Sequence, residues 1–439
     1  MKDYVSALAA AGDLDRVERE VDPRFELAAV TVAAQRASER ALLFDKVAGS
    51  PFAVATNIYS SHQRLCDMIG ATDGIFSPRW LELTQGTGQP NPPAPLPEAV
   101  PHVRGTISDL PKITYHERDG GAYYTSAIFY AREPDSGSPN LSFHRSMIVS
   151  DDELRVRLGT THDLTRYQQK AEERGEALPA ALLLSAPPSI FLAACASLPY
   201  EESELQIAER IAGRPLPMRQ CETIDLDVPA EADIVVEGRF LPGVRRPEGP
   251  FGEFMGNYVE VGDQHVFEVT AVTYRPGAVF HSLVCGSAED LRPLEATMAS
   301  RVFRHLRDTV RGVIDVSCRP GVQISIVKIR KQYEGHGKHV LLAAMGSNLD
   351  YNKVVFVVDE DVDIYNLEDV MWAYLTRGRA DTRAMILEGI PGFYRDPHKD
   401  HWGRLGIDAT LPWGREAEFA RKRVPGADTI DLSAYLAAR

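Results

Sequence analysis

Apolar positions recur at helical spacing from Tyr4 to Ala11 and stop at Gly12, whereas Asp15 to Val21 alternates as a strand does. A second helical run, Glu26–Arg40, is followed by short apolar stretches at Ala41–Phe44 and Phe52–Thr56 that predict strands, so the chain opens as an α/β unit. Residues 87–101 hold six prolines and cannot supply regular ladder or helix hydrogen bonds, which marks a boundary. From Asp109 to Val284 the pattern turns to strands between Gly, Pro and Asp turns: Tyr123–Tyr130, Ser142–Val149, Ala181–Leu184, Ile234–Gly238, Val266–Tyr274 and Val279–Val284. Helical interruptions are predicted at Leu164–Glu173 and Glu202–Ala212, and the whole reads as a barrel or split barrel. Ser287–Val313 is a long helical pattern suited to linking units. Beyond it, Val322–Lys328, Val340–Ala344, Val354–Val358 and Met385–Leu387 predict strands, and Leu367–Arg377 a helix. The resulting fold class is α/β plus β: an N-terminal α/β unit (1–105), a central β-rich domain (106–286), a linking helix (287–313) and a C-terminal α/β domain (314–439).

Length agrees with that division, since 439 residues is roughly three units of ~150. With 44% hydrophobic and 25% charged residues the chain can bury sizeable cores. The formal charge of −14 opposes broad contact with nucleic-acid phosphates or anionic lipid, but leaves room for a local basic pocket. Five scattered cysteines form neither a disulfide framework nor a CxxC pair and are expected to be reduced thiols. No apolar stretch approaches the ~20 residues that span a bilayer, and the Ala-rich start lacks a cleavage pattern, which points to the cytoplasm.

The densest chemistry lies in Arg246-Pro247-Glu248-Gly249-Pro250-Phe251-Gly252-Glu253-Phe254-Met255-Gly256-Asn257-Tyr258. On a straight strand, Glu248 and Glu253 would face opposite ways. The glycines and Pro250 allow the backbone to turn so that the two carboxyls converge. Two carboxyls at close quarters cannot easily both ionise, which makes the pair a candidate proton donor. A lone Glu-Gly-Pro is ordinarily a solvated turn. The longer segment Pro247–Tyr258, however, resembles the signature of the UbiD-type decarboxylases, which use prenylated FMN. The resemblance extends to Tyr4–Val21, Ala41–Val47 and Asn57–Leu65, and to Lys328–Gln332, Gly335-His336-Gly337-Lys338, Val355–Asp363 and Val370–Arg377. It covers nearly the whole chain and implies that the central unit is the flavin-binding domain and the C-terminal unit the oligomerisation domain, forming a homodimer or higher homo-oligomer.

Carried over residue by residue, the resemblance makes Asn140 and Arg145 of Asn140-Leu141-Ser142-Phe143-His144-Arg145 a metal ligand and the carboxylate-orienting cation. A planar guanidinium fork suits a carboxylate and can also pair with a catalytic Glu. His162 and Glu204 are the second and third metal ligands by the same similarity, although Glu201 and Glu202 offer alternative registers and a lone His is more often a turn residue. The implied ion is manganese or magnesium, with potassium nearby, neutralising the flavin phosphate. Ser142, Phe143, Thr161 and Ser197 would line the flavin or its phosphate. Neither GxGxxG nor GxxxxGK[ST] occurs to hold it otherwise. His144, Arg292 and Arg395 fall near substrate-lining positions where relatives often carry an apolar residue. They are either contacts for a polar substrate or ordinary surface and strand residues. The tract Asp396–His401 reads as a solvated loop.

The resemblance thus implies reversible, non-oxidative decarboxylation of an aromatic, heteroaromatic or α,β-unsaturated acid. Arg145 would orient the carboxylate, Glu253 donate the proton and Glu248 tune both, with a flavin prenyltransferase as source of the cofactor. The alternatives are a flavin or metallo-phosphate binding protein without this activity, and an enzyme that works as a carboxylase.

Overall fold

Strand Leu14–Val17 pairs in parallel with Ala41–Phe44, which pairs antiparallel with Val54–Thr56. The fourth strand of this sheet, Phe280–His281, comes from far along the chain and runs parallel to Val54–Thr56. In this computed structural model the described residues are 1–86, 101–200, 202–347, 351–390, 392–393, 396, 403–422, 424–426, 429–431 and 434–435. The proline-rich segment lies almost wholly outside them.

The central sheet has nine antiparallel strands. Its path runs Tyr123–Tyr124, Ser146–Ile148, Glu153–Val156, Gly262–Tyr274, Ile234–Glu248, Leu178–Leu184, Ile128–Arg132, Pro139–Phe143, with Val103–Gly105 added on Gly262–Tyr274. Chain connectivity dictates its curl. Pro139–Phe143 ends the path on one side and Ser146–Ile148 lies next to the other end, yet only His144 and Arg145 separate them. Three Cα steps span at most about 11 Å, so the two ends must approach one another. The same holds for Tyr124 and Ile128. The sheet therefore curls into a half-barrel, filled by Phe129, Phe240 and Phe267, whose ring centroids are 5.1 to 5.3 Å apart. This is also why the predicted strands Tyr123–Tyr130 and Ser142–Val149 are each broken in two. Of Val279–Val284, only Phe280–His281 is strand.

Residues Met1–Arg304 with Cys318–Val322 form one compact unit, and His305–Ser317 with Gln323–Arg439 a second. The long helix runs Ala288–Thr309, and Val313 already begins a strand. The second unit holds a five-stranded mixed sheet in the order Val313–Ser317, Ile324–Ile329, Val354–Asp359, Gly403–Asp408, Ala384–Glu388. The run Val340–Ala344, predicted as a strand, is the middle of helix His336–Ser347. Its buried residues His336, Gly337, Val340, Leu341, Ala344 and Met345 follow helical spacing, which a five-residue apolar window cannot distinguish from a strand. All five cysteines are free thiols. Among the described residues no helix is long and apolar enough to cross a membrane.

Candidate active site

Strand Ile234–Glu248 delivers Glu248 to the rim of the half-barrel, where the chain turns at Gly249. Gly249 stands at φ +99°, a backbone region that a side chain would disfavour. The turn leads into a two-residue ladder, Phe251–Gly252 against Tyr258–Val259, and Glu253 N–H donates to Asn257 O at 2.9 Å. Gly252 N–H donates to Asp119 Oδ1 at 2.9 Å, tying the turn to the loop before Tyr123. The Gly/Pro-rich segment thus folds back and brings its two carboxyls together, as its composition implied.

Arg145 occupies the two-residue link where the curled sheet meets itself. Its Nε and Nη2 donate to Glu248 Oε1 and Oε2 at 3.1 and 2.8 Å, a bidentate fork, and Nη1 donates to Glu253 Oε1 at 2.5 Å. The guanidinium lies over the Phe251 ring at 4.5 Å. Tyr123 completes the cluster by donating its hydroxyl to Glu248 Oε1 at 2.8 Å. All three charged side chains are at most 9% exposed. Burial works against the Arg145 charge, but the carboxylates of Glu248 and Glu253 overcome it and raise its pKa. Burial, then the Glu248 charge, push the Tyr123 phenol up, so it stays a donor. Sequence reasoning missed Tyr123, because a tyrosine in an apolar strand looks like core.

A second polar cluster starts on the strand leading to Arg145. Glu204, in the first turn of helix Glu204–Ala212, accepts Leu141 N–H at 3.0 Å and faces Asn140 Nδ2 at 3.4 Å. Of the acidic run it is Glu204 that meets Asn140; Glu201 lies outside the described residues. Burial pushes the Glu204 carboxyl up to about 7 against the pull of Leu141 N–H. On the other side of Asn140, Ser142 Oγ lies 3.0 Å from Asn140 Oδ1 and 2.9 Å from His144 Nε2. Burial first, then His162, hold His144 well below the usual imidazole range, so the ring is neutral. Its Nδ1 faces Arg157 O at 3.1 Å, an acceptor, and therefore carries the ring proton. The single Ser142 hydroxyl proton is left to serve two acceptors. An oxygen-rich, donor-poor group of Asn140, Ser142 and a desolvated carboxylate is the chemistry that a hard cation satisfies. His162 is the N-cap residue of helix Asp163–Glu173, with its ring 4.9 Å from that of His144. It is therefore one ring removed from the Asn140–Glu204 contact. Among the described residues no group of three or more His, Cys, Asp or Glu is arranged as a metal site.

Phe143 sets its ring 4.8 Å from Phe191, which stacks on Tyr59 at 3.7 Å and meets His281 edge-on. Thr161 is exposed on a turn, and Ser197 is exposed on the irregular segment after helix Pro188–Ala193. Arg292 pairs with Glu295 at 2.6 Å and its buried Nε has no partner. Arg395 and most of the Asp396–His401 tract lie outside the described residues.

Profiles of the N-terminal, Rift-related and C-terminal domains of 3-octaprenyl-4-hydroxybenzoate carboxy-lyase (UbiD) match residues 5–77, 90–288 and 292–409. The chain belongs to the UbiD family. It is 36% identical over 324 residues to anhydromevalonate phosphate decarboxylase of Methanothermobacter thermautotrophicus, covering 72% of this chain and 76% of that one. It is 29% identical over 441 residues to phenolic acid decarboxylase of Sedimentibacter hydroxybenzoicus, covering 94% and 91%. The UbiD-class enzyme HmfF of Pelotomaculum thermopropionicum, solved with FMN, superposes with a TM-score of 0.91 at 34% identity over 99% of both chains. An evolved dimeric form of HmfF, solved with prFMN, gives 0.87 at 33%. The UbiD half-barrel with its flanking α/β elements is thus the fold of this chain.

Proposed function

We propose that this UbiD-family carboxy-lyase decarboxylates an unsaturated or aromatic carboxylic acid with the help of prenylated FMN, and that Arg145, Glu248 and Glu253 are its working side chains. The observation that carries this reading is the guanidinium of Arg145 held by Glu248 through two bonds and touching Glu253 through a third. Prenylated FMN, when bound, supplies the electron sink that no side chain here offers. Asn140, His162 and Glu204 would hold its phosphate through manganese or magnesium, with Ser142, Phe143, Thr161 and Ser197 around it and potassium as a further counter-ion. The donor-poor Asn140–Ser142–Glu204 group supports that fit. A flavin prenyltransferase would supply the cofactor.

Within this frame each side chain has a distinct task. Glu248 fixes the plane of the Arg145 fork, so that the N–H groups left free by Glu248 and Glu253 are aimed at the substrate carboxylate. Glu253 delivers a proton to the carbon that CO₂ leaves, and the charge of Arg145 steadies it once the proton has gone. The same steps run backwards under high CO₂ carry carboxylation. Arg292 and His144, with Arg395, stay candidates for the polar end of the substrate. The division into units 1–105, 106–286, 287–313 and 314–439 assigns the flavin to the second and self-association to the fourth. Exposed Leu367, Met371 and Leu375, spaced along one helix face, support docking of a second copy there.

The deciding experiment loads the purified protein with prenylated FMN and measures CO₂ release from a panel of aromatic, heteroaromatic and α,β-unsaturated acids. Release that disappears in Glu253→Gln, with flavin content retained, supports the reading. A loaded protein that binds these acids and releases no CO₂ overturns it in favour of a binding protein.

A further inference from the structure

The turn that carries Glu248 and Glu253 is held by the loop His116–Gly121, which leads into strand Tyr123–Tyr124. At the start of the turn, Gly120 N–H donates to Pro250 O at 2.8 Å, and a Cβ on Gly120 would collide with Gly249 O, so the two backbones lie directly on each other. At its end stands the carboxyl of Asp119. Oδ1 accepts Gly252 N–H at 2.9 Å, while Oδ2 accepts His116 N–H at 2.9 Å and lies 3.5 Å from His116 Nδ1. Asp119 N–H donates in turn to His116 O at 3.1 Å, which closes the loop on itself. The Asp119 side chain is fully buried, and a Cβ on Gly252 would come within 2.5 Å of His116 Nδ1, so this contact admits glycine alone.

The two points of contact fall just inside the carboxyls that grip Arg145: Glu248 precedes Gly249 and Glu253 follows Gly252. Glu248 has supports of its own. It ends strand Ile234–Glu248, where it is paired with Gly262, and it accepts the hydroxyl of Tyr123, whose strand is paired with Ser146–Ile148. The backbone bonds of Glu253 to Asn257 and Gly256 lie within the turn, so they fix its shape rather than its place against Arg145. On the reading above, Glu253 is protonated until it gives its proton away, and in that form it carries no charge for Arg145 to attract. Its place then rests on the backbone, which Asp119 holds one residue away.

We propose that Asp119 is a positioning residue that acts through Gly252 to keep the Glu253 carboxyl where it can protonate the substrate carbon. The proposal rests on the decarboxylase reading of Glu253. Loss of the Asp119 oxygen leaves Gly252 N–H without its acceptor and frees the turn to shift, and a misplacement of about 1 Å costs ~10²-fold in rate.

The test uses flavin-loaded enzyme carrying Asp119→Ala or Asp119→Asn, the second of which keeps an oxygen for Gly252 N–H. Asp119→Ala is expected to lower kcat by ~10²-fold with KM and flavin content retained, because Glu248 still holds Arg145 for the substrate. Asp119→Asn should recover most of that loss, which a role through charge alone would not allow. Crystal structures of the two variants without flavin should show the Glu253 carboxyl displaced in Asp119→Ala and seated in Asp119→Asn, with the Arg145–Glu248 fork intact in both. An unchanged kcat in Asp119→Ala, an equal loss in both variants, a Glu253 that does not move, or failure of both variants to fold overturns the proposal. If the unsubstituted enzyme releases no CO₂, the decarboxylase reading itself has failed, and the crystal structures still decide whether Asp119 places Glu253.

Discussion

At the residue scale the ion cluster makes sharp demands. Arg145→Lys keeps the charge but replaces a planar fork with a point, so Glu248 and the substrate can no longer be held together. We expect kcat/KM to fall by ~10²-fold while flavin content is kept, read by CO₂ release against flavin absorbance. Tyr123→Phe removes one hydrogen bond to a buried carboxylate and should lower stability by about 1.5–3 kcal/mol in denaturant unfolding. Away from the site, Glu172 shows a pH effect of defined sign. Burial alone would raise its pKa, but the Arg245 fork, Gly243 N–H and Gln168 hold it at about 2, below its ordinary 4.5. A depressed carboxyl stabilises the fold fully above pH 4.5 and loses that contribution as pH falls toward 2. Glu172→Gln should therefore flatten the acid-unfolding curve between those values, and a curve unchanged in that window would refute the pairing. The carboxylates of the signature turn were legible from Gly and Pro placement. Tyr123 was not, since it sits in an apolar strand.

At the element scale the half-barrel depends on its aromatic filling. Phe267→Ala removes a fully buried ring that touches Phe129 and Phe240, and should cost about 3–5 kcal/mol by chemical denaturation. Most elements were readable from periodicity: Lys2–Ala10, Asp163–Glu173 and Leu367–Arg377 fall within a few residues of their apolar patterns. The failures share a cause. The strand Tyr123–Tyr130 is expected to run on because most of its residues favour strand, yet the curl of the sheet forces a corner at Thr125–Ala127. Helix His336–Ser347 was misread because its buried stripe is wider than the short window that suggested a strand.

At the scale of the whole molecule, the stripe Leu367, Met371 and Leu375 predicts that Leu375→Glu lowers the oligomeric state measured by sedimentation without unfolding the chain, because Leu375 is 76% exposed. The net charge of −14 likewise finds its meaning at this scale, as a surface property compatible with a cation-seeking group at Asn140 and Glu204. What the sequence by itself determined is whatever rests on local spacing: the α/β and β succession, the turn chemistry around Gly249 and the residue types able to move a proton or hold a metal. What only the tertiary structure decided is which of them meet. Arg145 lies 103 residues before Glu248, and Asn140 lies 64 before Glu204. Such pairings follow from the curl of a nine-stranded sheet whose ends two residues must bridge, and no local pattern along the chain encodes that closure.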